Sequence, residues 1–517
     1  MATLCQKSWT DYKSPLRVVV QVLLRSRDGW IRKGNEFKLK LKETEQRLAQ
    51  YELAGERQSR EIRQLKEQIR RLEAEKQQTR CRLPADPPIG SHGYGARMIC
   101  LAVNLAKTVG LRPASRVMEI MFDWLDVEEK VPCPTAIRNW LQRLGVAALK
   151  EPIEEADDQI WMVDHSNQIG PEKALVMLSV RASKLPPPGT ALRHEDVRVL
   201  TVQPGIHWKR EDMATVYKEL ADEYGTPRAV LMDGAVELRD GAERLKTRRS
   251  DTIVLHDFKH KAANFFKAIL GKDERFAEFS SKVGRTRSAI QQTELAHLTP
   301  PREKPKARFM NLKATLRWAA SILWLLENPE ARSREWMTSE RLEDKLGWLR
   351  SFADELSAWR ECEEVIEKGV TFINRQGLFR GAADQLRGLV HSNMSHSMSR
   401  QLATKLIEFV ATAEDQLKDD ERLPMSTEIL ESSFALYKQL ERQHSKGGFT
   451  SLLASFGALL KPQTPETIHR AFQTVSVRDV KQWVEDNLGT TLTSKRRATY
   501  SEYKSNVKSA TTTNSTA

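Results

Sequence analysis

Two short apolar runs, each closed by an aspartate, constrain this chain more than any other feature. They are Ile160-Trp161-Met162-Val163-Asp164-His165 and Ala229-Val230-Leu231-Met232-Asp233-Gly234. Each reads as a buried strand whose last residue is a carboxylate, fixed in position yet open to solvent. A sheet that holds both strands side by side would hold both carboxylates together.

The surrounding pattern supplies such a sheet. Strands are expected from Gln159 to Asp164, from Ala174 to Val180 after a turn at Gln168–Lys173, and from Val197 to Val202. A helix is expected from Glu211 to Tyr224, a fourth strand from Arg228 to Asp233, and a helix from Val236 to Lys246. A fifth strand, Thr252–His256, leads into a helix from His260 to Leu270. Three strands, helix, strand, helix, strand, helix is the element order of a ribonuclease H-like fold. The first and fourth strands are neighbours in that fold.

At 517 residues the chain exceeds one core and should hold two to four domains. Residues 1–35 form an N-terminal segment, in which Leu16–Leu24 reads as a buried element. Residues 36–83 carry a heptad, with Leu41, Leu48, Ile62 and Ile69 at a and Phe37, Tyr51, Leu65 and Leu72 at d. That is the period of a coiled coil, interrupted at Gly55 and Gln58, and it favours self-association. Pro84, Pro87 and Pro88 then stop any helix. Residues 88–150 read as three short helices in a helix-turn-helix, the last capped by Thr135 and ended by Gly145. Its polar surface would present Arg138, Asn139, Gln142 and Arg143 to base edges, with Trp140 in the core. Residues 155–270 form the first part of the α/β core. A long all-helical insertion spans 271–420, with Trp318 and Trp324 expected inside it. The last core helix lies within 421–462. Residues 463–517 form a basic C-terminal region, disordered from Thr511. The fold class is therefore multidomain α+β.

A formal charge of +13 favours a polyanionic partner. No apolar run approaches the roughly 18 residues of a membrane span, so DNA is the expected partner and no membrane is. The N-terminus lacks a basic-then-apolar leader, which points to the cytoplasm, with nucleoid association in a bacterium. Five scattered cysteines without a paired spacing argue against zinc and for reduced thiols.

The chemistry then rests on three acids. Glu431 lies on an amphipathic helix, Thr427-Glu428-Ile429-Leu430-Glu431-Ser432-Ser433-Phe434. With Asp164 and Asp233 it forms a set of hard oxygen ligands suited to two Mg²⁺ ions, with Mn²⁺ able to substitute. Glu428, one turn earlier, is the alternative third ligand. Lys438 shares the Glu431 face and is placed to hold a phosphate. In His256-Asp257-Phe258-Lys259-His260-Lys261, Asp257 and His260 would orient each other or a scissile phosphate. The loop Pro300–Arg308 is basic and proline-punctuated, as a segment tracking a phosphate backbone would be.

These residues resemble those of DDE-type insertion-sequence transposases. Asp164 in Val163-Asp164-His165-Ser166 matches the first acid, Asp233-Gly234 the second, and Glu431, followed seven residues later by Lys438, the third. A Tyr and an Arg that precede this Glu in some subgroups are absent, and Thr427 stands where the Arg would be. The helical insertion is similar to that of the hAT-like branch, where Cys-x-x-His follows the fifth strand; Asp257-x-x-His260 stands there in this chain. The resemblance implies Mg²⁺-dependent cleavage at DNA ends and strand transfer into target DNA, by a homodimer or higher oligomer. Two other readings fit: a non-catalytic DNA-binding protein descended from such an enzyme, and a structure-specific nuclease that only hydrolyses.

Overall fold

A computed structural model of the chain describes residues 15–79, 85–90, 93–169, 172–302, 309, 312–328, 338–391, 394–441, 449–489 and 492–513. The chain divides into two compact units, one built on the N-terminal helix together with Phe122–Glu128, the other holding nearly everything else.

The first unit is dominated by one helix, α1 (Leu16–Thr79). It starts well before the heptad and runs through Gly55 and Gln58 without a break. Residues 16–24 are not a buried element: only Val19 is buried, while Leu16, Val18, Val20, Val22, Leu23 and Leu24 face solvent. Their helical backbone is the reason, because a single helix has too few neighbours to cover apolar residues on every side.

The second unit opens with α2 (Ala96–Val109), α3 (Leu111–Trp124, whose last turn belongs to the first unit) and α4 (Pro134–Leu149). Pro134 starts α4, preceded by Cys133 rather than a Thr135 cap. Gly145 does not end it. A Cβ there would lie 2.0 Å from the Ala454 carbonyl oxygen, so the glycine permits a backbone contact in mid-helix.

Five strands follow: β1 (Gln159–Ile169), β2 (Glu172–Arg181), β3 (Arg198–Gly205), β4 (Ala229–Met232) and β5 (Ile253–His256). They form one mixed sheet in the order β3-β2-β1-β4-β5. The β1–β2 and β2–β3 pairs are antiparallel, the β1–β4 and β4–β5 pairs parallel. Helices α5 (Arg210–Tyr224), α6 (Val236–Glu243) and α7 (Phe258–Leu270) interleave with the later strands. Trp161 and Val163 of β1 and Val230 and Met232 of β4 pack with Met213, Tyr217 and Leu238 of α5 and α6. Trp161 stacks on Tyr217 with ring centroids 6.5 Å apart. Burial on both faces explains why β1 and β4 read as continuous apolar runs.

The segment after α7 is helical wherever it is described: α8 (Glu274–Ile290), α9 (Leu312–Glu327), α10 (Ser339–Leu346), α11 (Ala353–Gln376), α12 (Ala382–His391) and α13 (Ser397–Glu414). Phe276, Phe279, Phe352 and Trp359 form its aromatic core. Trp318 is half-buried, its indole donating to the Leu298 carbonyl, but Trp324 is exposed rather than core. Most of the basic loop, residues 303–308, lies outside the described residues. The chain returns to the sheet through a buried ion pair, Arg228 to Glu421, with both contacts at 2.7 Å.

Then come α14 (Glu428–Glu441), which packs on β1, and α15 (Phe456–Leu460), α16 (Pro465–Thr474), α17 (Val477–Leu488) and α18 (Leu492–Thr513). The C-terminal region is not a loose appendage. Helices α15, α16 and α17 pack around α4. Helix continues through Thr513, three residues into the stretch expected to be disordered, and residues 514–517 lie outside the described residues. Among the described residues no helix is long and apolar enough to cross a membrane.

Candidate active site

Parallel pairing of β1 with β4 matches Val163 to Met232, so the next residues, Asp164 and Asp233, lie side by side. Asp164 does not terminate its strand. The strand continues beyond it after a register shift between Asp164 and Asn167, and that irregularity breaks the ladder at the acid. Asp164 is only 5% exposed. Burial and the adjacent Asp233 carboxylate push its carboxyl up to about 6, against the opposing pull of His165 and His260. Two acids forced together in a buried place gain by receiving a cation.

Asp233 is fixed by a turn in which its Oδ1 accepts from the Ala235 amide at 2.9 Å. Gly234 has φ +93°, and a Cβ there would fall 1.7 Å from His256 Cε1. Only glycine satisfies both demands. The buried His256 Nδ1 has no hydrogen-bond partner.

The third acid arrives on α14. Asp257, 1% exposed at the end of β5, sets where that helix starts. One of its oxygens accepts from the His260 amide at 2.7 Å, capping α7. The other accepts from the Thr427 amide at 2.6 Å and the Thr427 hydroxyl at 3.0 Å. The Asp257 amide donates to the Met232 carbonyl at 2.8 Å. One buried aspartate thus joins β4 through its amide, and α7 and the residue before α14 through its carboxylate. Thr427 holds α14 in turn, its carbonyl accepting from the Leu430 and Glu431 amides.

Glu431 then meets two basic side chains, Lys259 Nζ at 2.9 Å and His260 Nε2 at 3.4 Å. Hydrogen bonding to His260, then to Lys259, outweighs burial and holds Glu431 down to about 2. Burial lowers the His260 pKa, but the Glu431 hydrogen bond and the charges of Asp257, Asp233 and Glu431 raise it further. His260 also acts on Asp164. A single imidazole therefore lies in the field of all three acids. Glu428 is drawn elsewhere, accepting from Asn374 of α11.

The three carboxylates share His260 as a neighbour, but they do not form a ready chelate. Among the described residues, no three His, Cys, Asp or Glu side chains are gathered closely enough to hold a metal ion. The donor set itself fits a hard divalent cation: two adjoining aspartates, the one raising the pKa of the other, and an ionised glutamate.

The candidate DNA-reading residues of α4 separate. Asn139 is exposed and Arg138 half-buried, with its Nη2 3.4 Å from Asn139 Oδ1. Gln142 and Arg143 do not face a groove. Gln142 is buried and donates to Ser451 Oγ at 2.8 Å. Arg143 donates to the carbonyls of Val475 and Phe472, and its guanidinium stacks 4.1 Å from the Phe472 ring centre. The C-terminal helices occupy the face that a recognition helix would offer. Lys438 is exposed on α14, seven residues beyond Glu431. His260 faces Glu431 rather than an open surface.

Two site features were missed in the sequence: Lys259, which holds Glu431, and Glu237, whose Oε1 lies 2.7 Å from His165 Nε2. Lys259 was legible within the charged run after β5. The Glu237 contact joins residues 72 apart, and no local spacing announces it.

No protein-family model matches this chain, and no curated protein matches it. Among solved structures the chain is similar to the Drosophila P element transposase strand transfer complex, at 9% sequence identity and a TM-score of 0.37, over 73% of this chain and 94% of that chain.

Proposed function

We propose that this protein is a DNA transposase with a ribonuclease H-like core, using Asp164, Asp233 and Glu431 to cut and rejoin DNA strands. The observation that carries the proposal is the abutting pair Asp164 and Asp233 on the neighbouring parallel strands β1 and β4, faced by Glu431 on a helix indexed to β4 through Asp257. The strand order β3-β2-β1-β4-β5 supports the core assignment. The +13 charge supports a DNA partner.

Asp164, Asp233 and Glu431 would hold two Mg²⁺ or Mn²⁺ ions. When bound, such ions supply an activated attacking oxygen and stabilise the leaving oxygen of an in-line displacement. The protein's own share is placement. The irregularity in β1 and the tight turn at Gly234 fix the two aspartates. Asp257 and Thr427 set the reach of Glu431. Lys259 and His260 neutralise Glu431 before ligands arrive, and on its release they face the same space as cations fit to receive a phosphate. Pairing of two protomers through α1 would process two DNA ends together.

The test uses the full chain with DNA flanking its own coding sequence, in Mg²⁺ or Mn²⁺. Strand cleavage followed by joined products is expected from the wild type. Asp164→Asn and Asp233→Asn should each lower the rate by more than the roughly 10–100-fold that loss of a ligand's outer-shell partner costs. Full activity in either variant would rule out the assigned roles. Cleavage without joined products would reduce the protein to a nuclease.

A further inference from the structure

A groove of about 730 Å³ lies on the far flank of α14, and none of the residues so far given a role in cleavage lines it. Its walls come from the C-terminal turn of α2, the segment before β3, α14 and α15. Lys107 and Arg193 supply the cationic side, with the His194 imidazole beside them, Leu436 and Leu460 an apolar floor, and Glu195 the opposing charge. Glu195 lies 3.4 Å from Arg193. Lys107 has no carboxylate partner among the described residues; its Nζ donates to the Lys461 carbonyl. Burial lowers that ammonium to about 8. Burial, and then the Lys107 charge, also lower His194. A half-buried ammonium without a counter-ion gains by receiving an anion.

The groove adjoins the acid site along one helix. His194 Nε2 lies 2.9 Å from Ser432 Oγ, and Ser432 follows Glu431. Ser432 and Leu436 share a helical stripe one step round from Glu431. A cavity of this size falls within the range of about 300–1,000 Å³ that encloses a small ligand, and is too small for a duplex. A cationic rim over an apolar floor matches a phosphate joined to a base.

We infer that this groove binds one or two unpaired nucleotides of the DNA strand leaving the acid site, with phosphate against Lys107 and Arg193 and a base on Leu436 and Leu460. The inference rests on the cleavage reading above and gives that site an exit for single-stranded DNA.

The experiment measures fluorescence anisotropy of a labelled oligothymidine on the full chain across a salt series. Lys107→Gln combined with Arg193→Gln should weaken binding about tenfold. It should also flatten the dependence of log K on log salt by about 1.4, at ~0.7 per phosphate contact on a single strand. Because Lys107 also braces Lys461, Arg193→Gln is measured alone, with a slope change of about 0.7 expected. Leu436→Ala should weaken binding without altering the slope. Wild-type affinity and slope in the double variant would overturn the inference. Unchanged groove variants beside a cleavage-dead Asp164→Asn would sink the groove alone. An Asp164→Asn protein that still cleaves would sink the cleavage reading instead.

Discussion

At the scale of single residues, the buried acids differ in use: Asp164 is placed for a cation, Asp257 ties elements together, and Glu441 is simply costly. Glu441, at the end of α14, is buried and accepts from the Tyr437 hydroxyl at 3.0 Å, while its Oε1 has no hydrogen-bond partner among the described residues. Burial, against the hydrogen bonds of Tyr437 and Thr450, raises its pKa from 4.5 to about 7. A carboxyl that holds its proton more tightly in the fold than in the unfolded chain favours folding while protonated. That advantage is lost as pH rises from about 4.5 to about 7. Glu441→Gln keeps an acceptor for Tyr437 and removes the ionisation. The variant should match the wild type near pH 4.5 and be more stable at pH 8 by about 2 kcal/mol. Urea unfolding at the two pH values measures this, and an equal difference at both would show that ionisation is not the cause. Asp164, also raised, differs in having the Asp233 carboxylate beside it. Its cost is the kind that functional sites retain.

At the scale of elements, glycine shows what a sequence reveals and what it hides. Gly145 reads as a helix end because glycine commonly stands there. In the fold it sits inside α4, and the carbonyl of Ala454 fills the space where a Cβ would be. Gly145→Ala should therefore destabilise the second unit by about 2 kcal/mol, within the usual range for overpacking. Gly55→Ala in α1, where nothing lies within 4 Å, should instead strengthen its helix by about 0.5–1 kcal/mol. Chemical denaturation and helicity by circular dichroism read the two effects, and a neutral Gly145→Ala would mean that α4 can move away from Ala454. The same contrast explains the rest of the reading. The strands and α14 were legible because their periodicity and apolar runs are local signals, and Asp164, Asp233 and Glu431 were found by their positions on them. The face of α4 was not legible. Arg138, Asn139, Gln142 and Arg143 look alike as polar helix residues, and only packing against Ser451, Phe472 and Val475, more than 300 residues later, takes Gln142 and Arg143 away from solvent. The Glu431–Lys259 contact was half visible: both residues stood in marked segments, but their meeting depends on Asp257 joining β5 to Thr427.

At the scale of the whole molecule, the largest unmet demand is the seam of α1. Its eight a and d residues, Phe37, Leu41, Leu48, Tyr51, Ile62, Leu65, Ile69 and Leu72, are each 51–75% exposed in the single chain. At 1.5 Å per residue, 64 residues make a rod about 96 Å long. Helices draw most of their stability from packing an apolar face, and an apolar stripe at heptad spacing is best covered by a like stripe. A second copy of α1 supplies one, residue for residue. The full chain is therefore expected to be a dimer by light scattering at micromolar concentration. Ile62→Lys with Ile69→Lys puts charge at two a positions and should shift the mass to the monomer, with loss of helical signal from α1 but not from the sheet-bearing unit. Ile62→Leu with Ile69→Leu, which keeps the seam apolar, should remain dimeric. A wild type that runs as a monomer, or a lysine variant that stays paired, would show that something other than α1 covers the stripe or joins the protomers. If pairing brings two DNA ends to two acid sites, the lysine variant should also lose joined products while it still binds single ends, because each protomer keeps its own Asp164, Asp233 and Glu431.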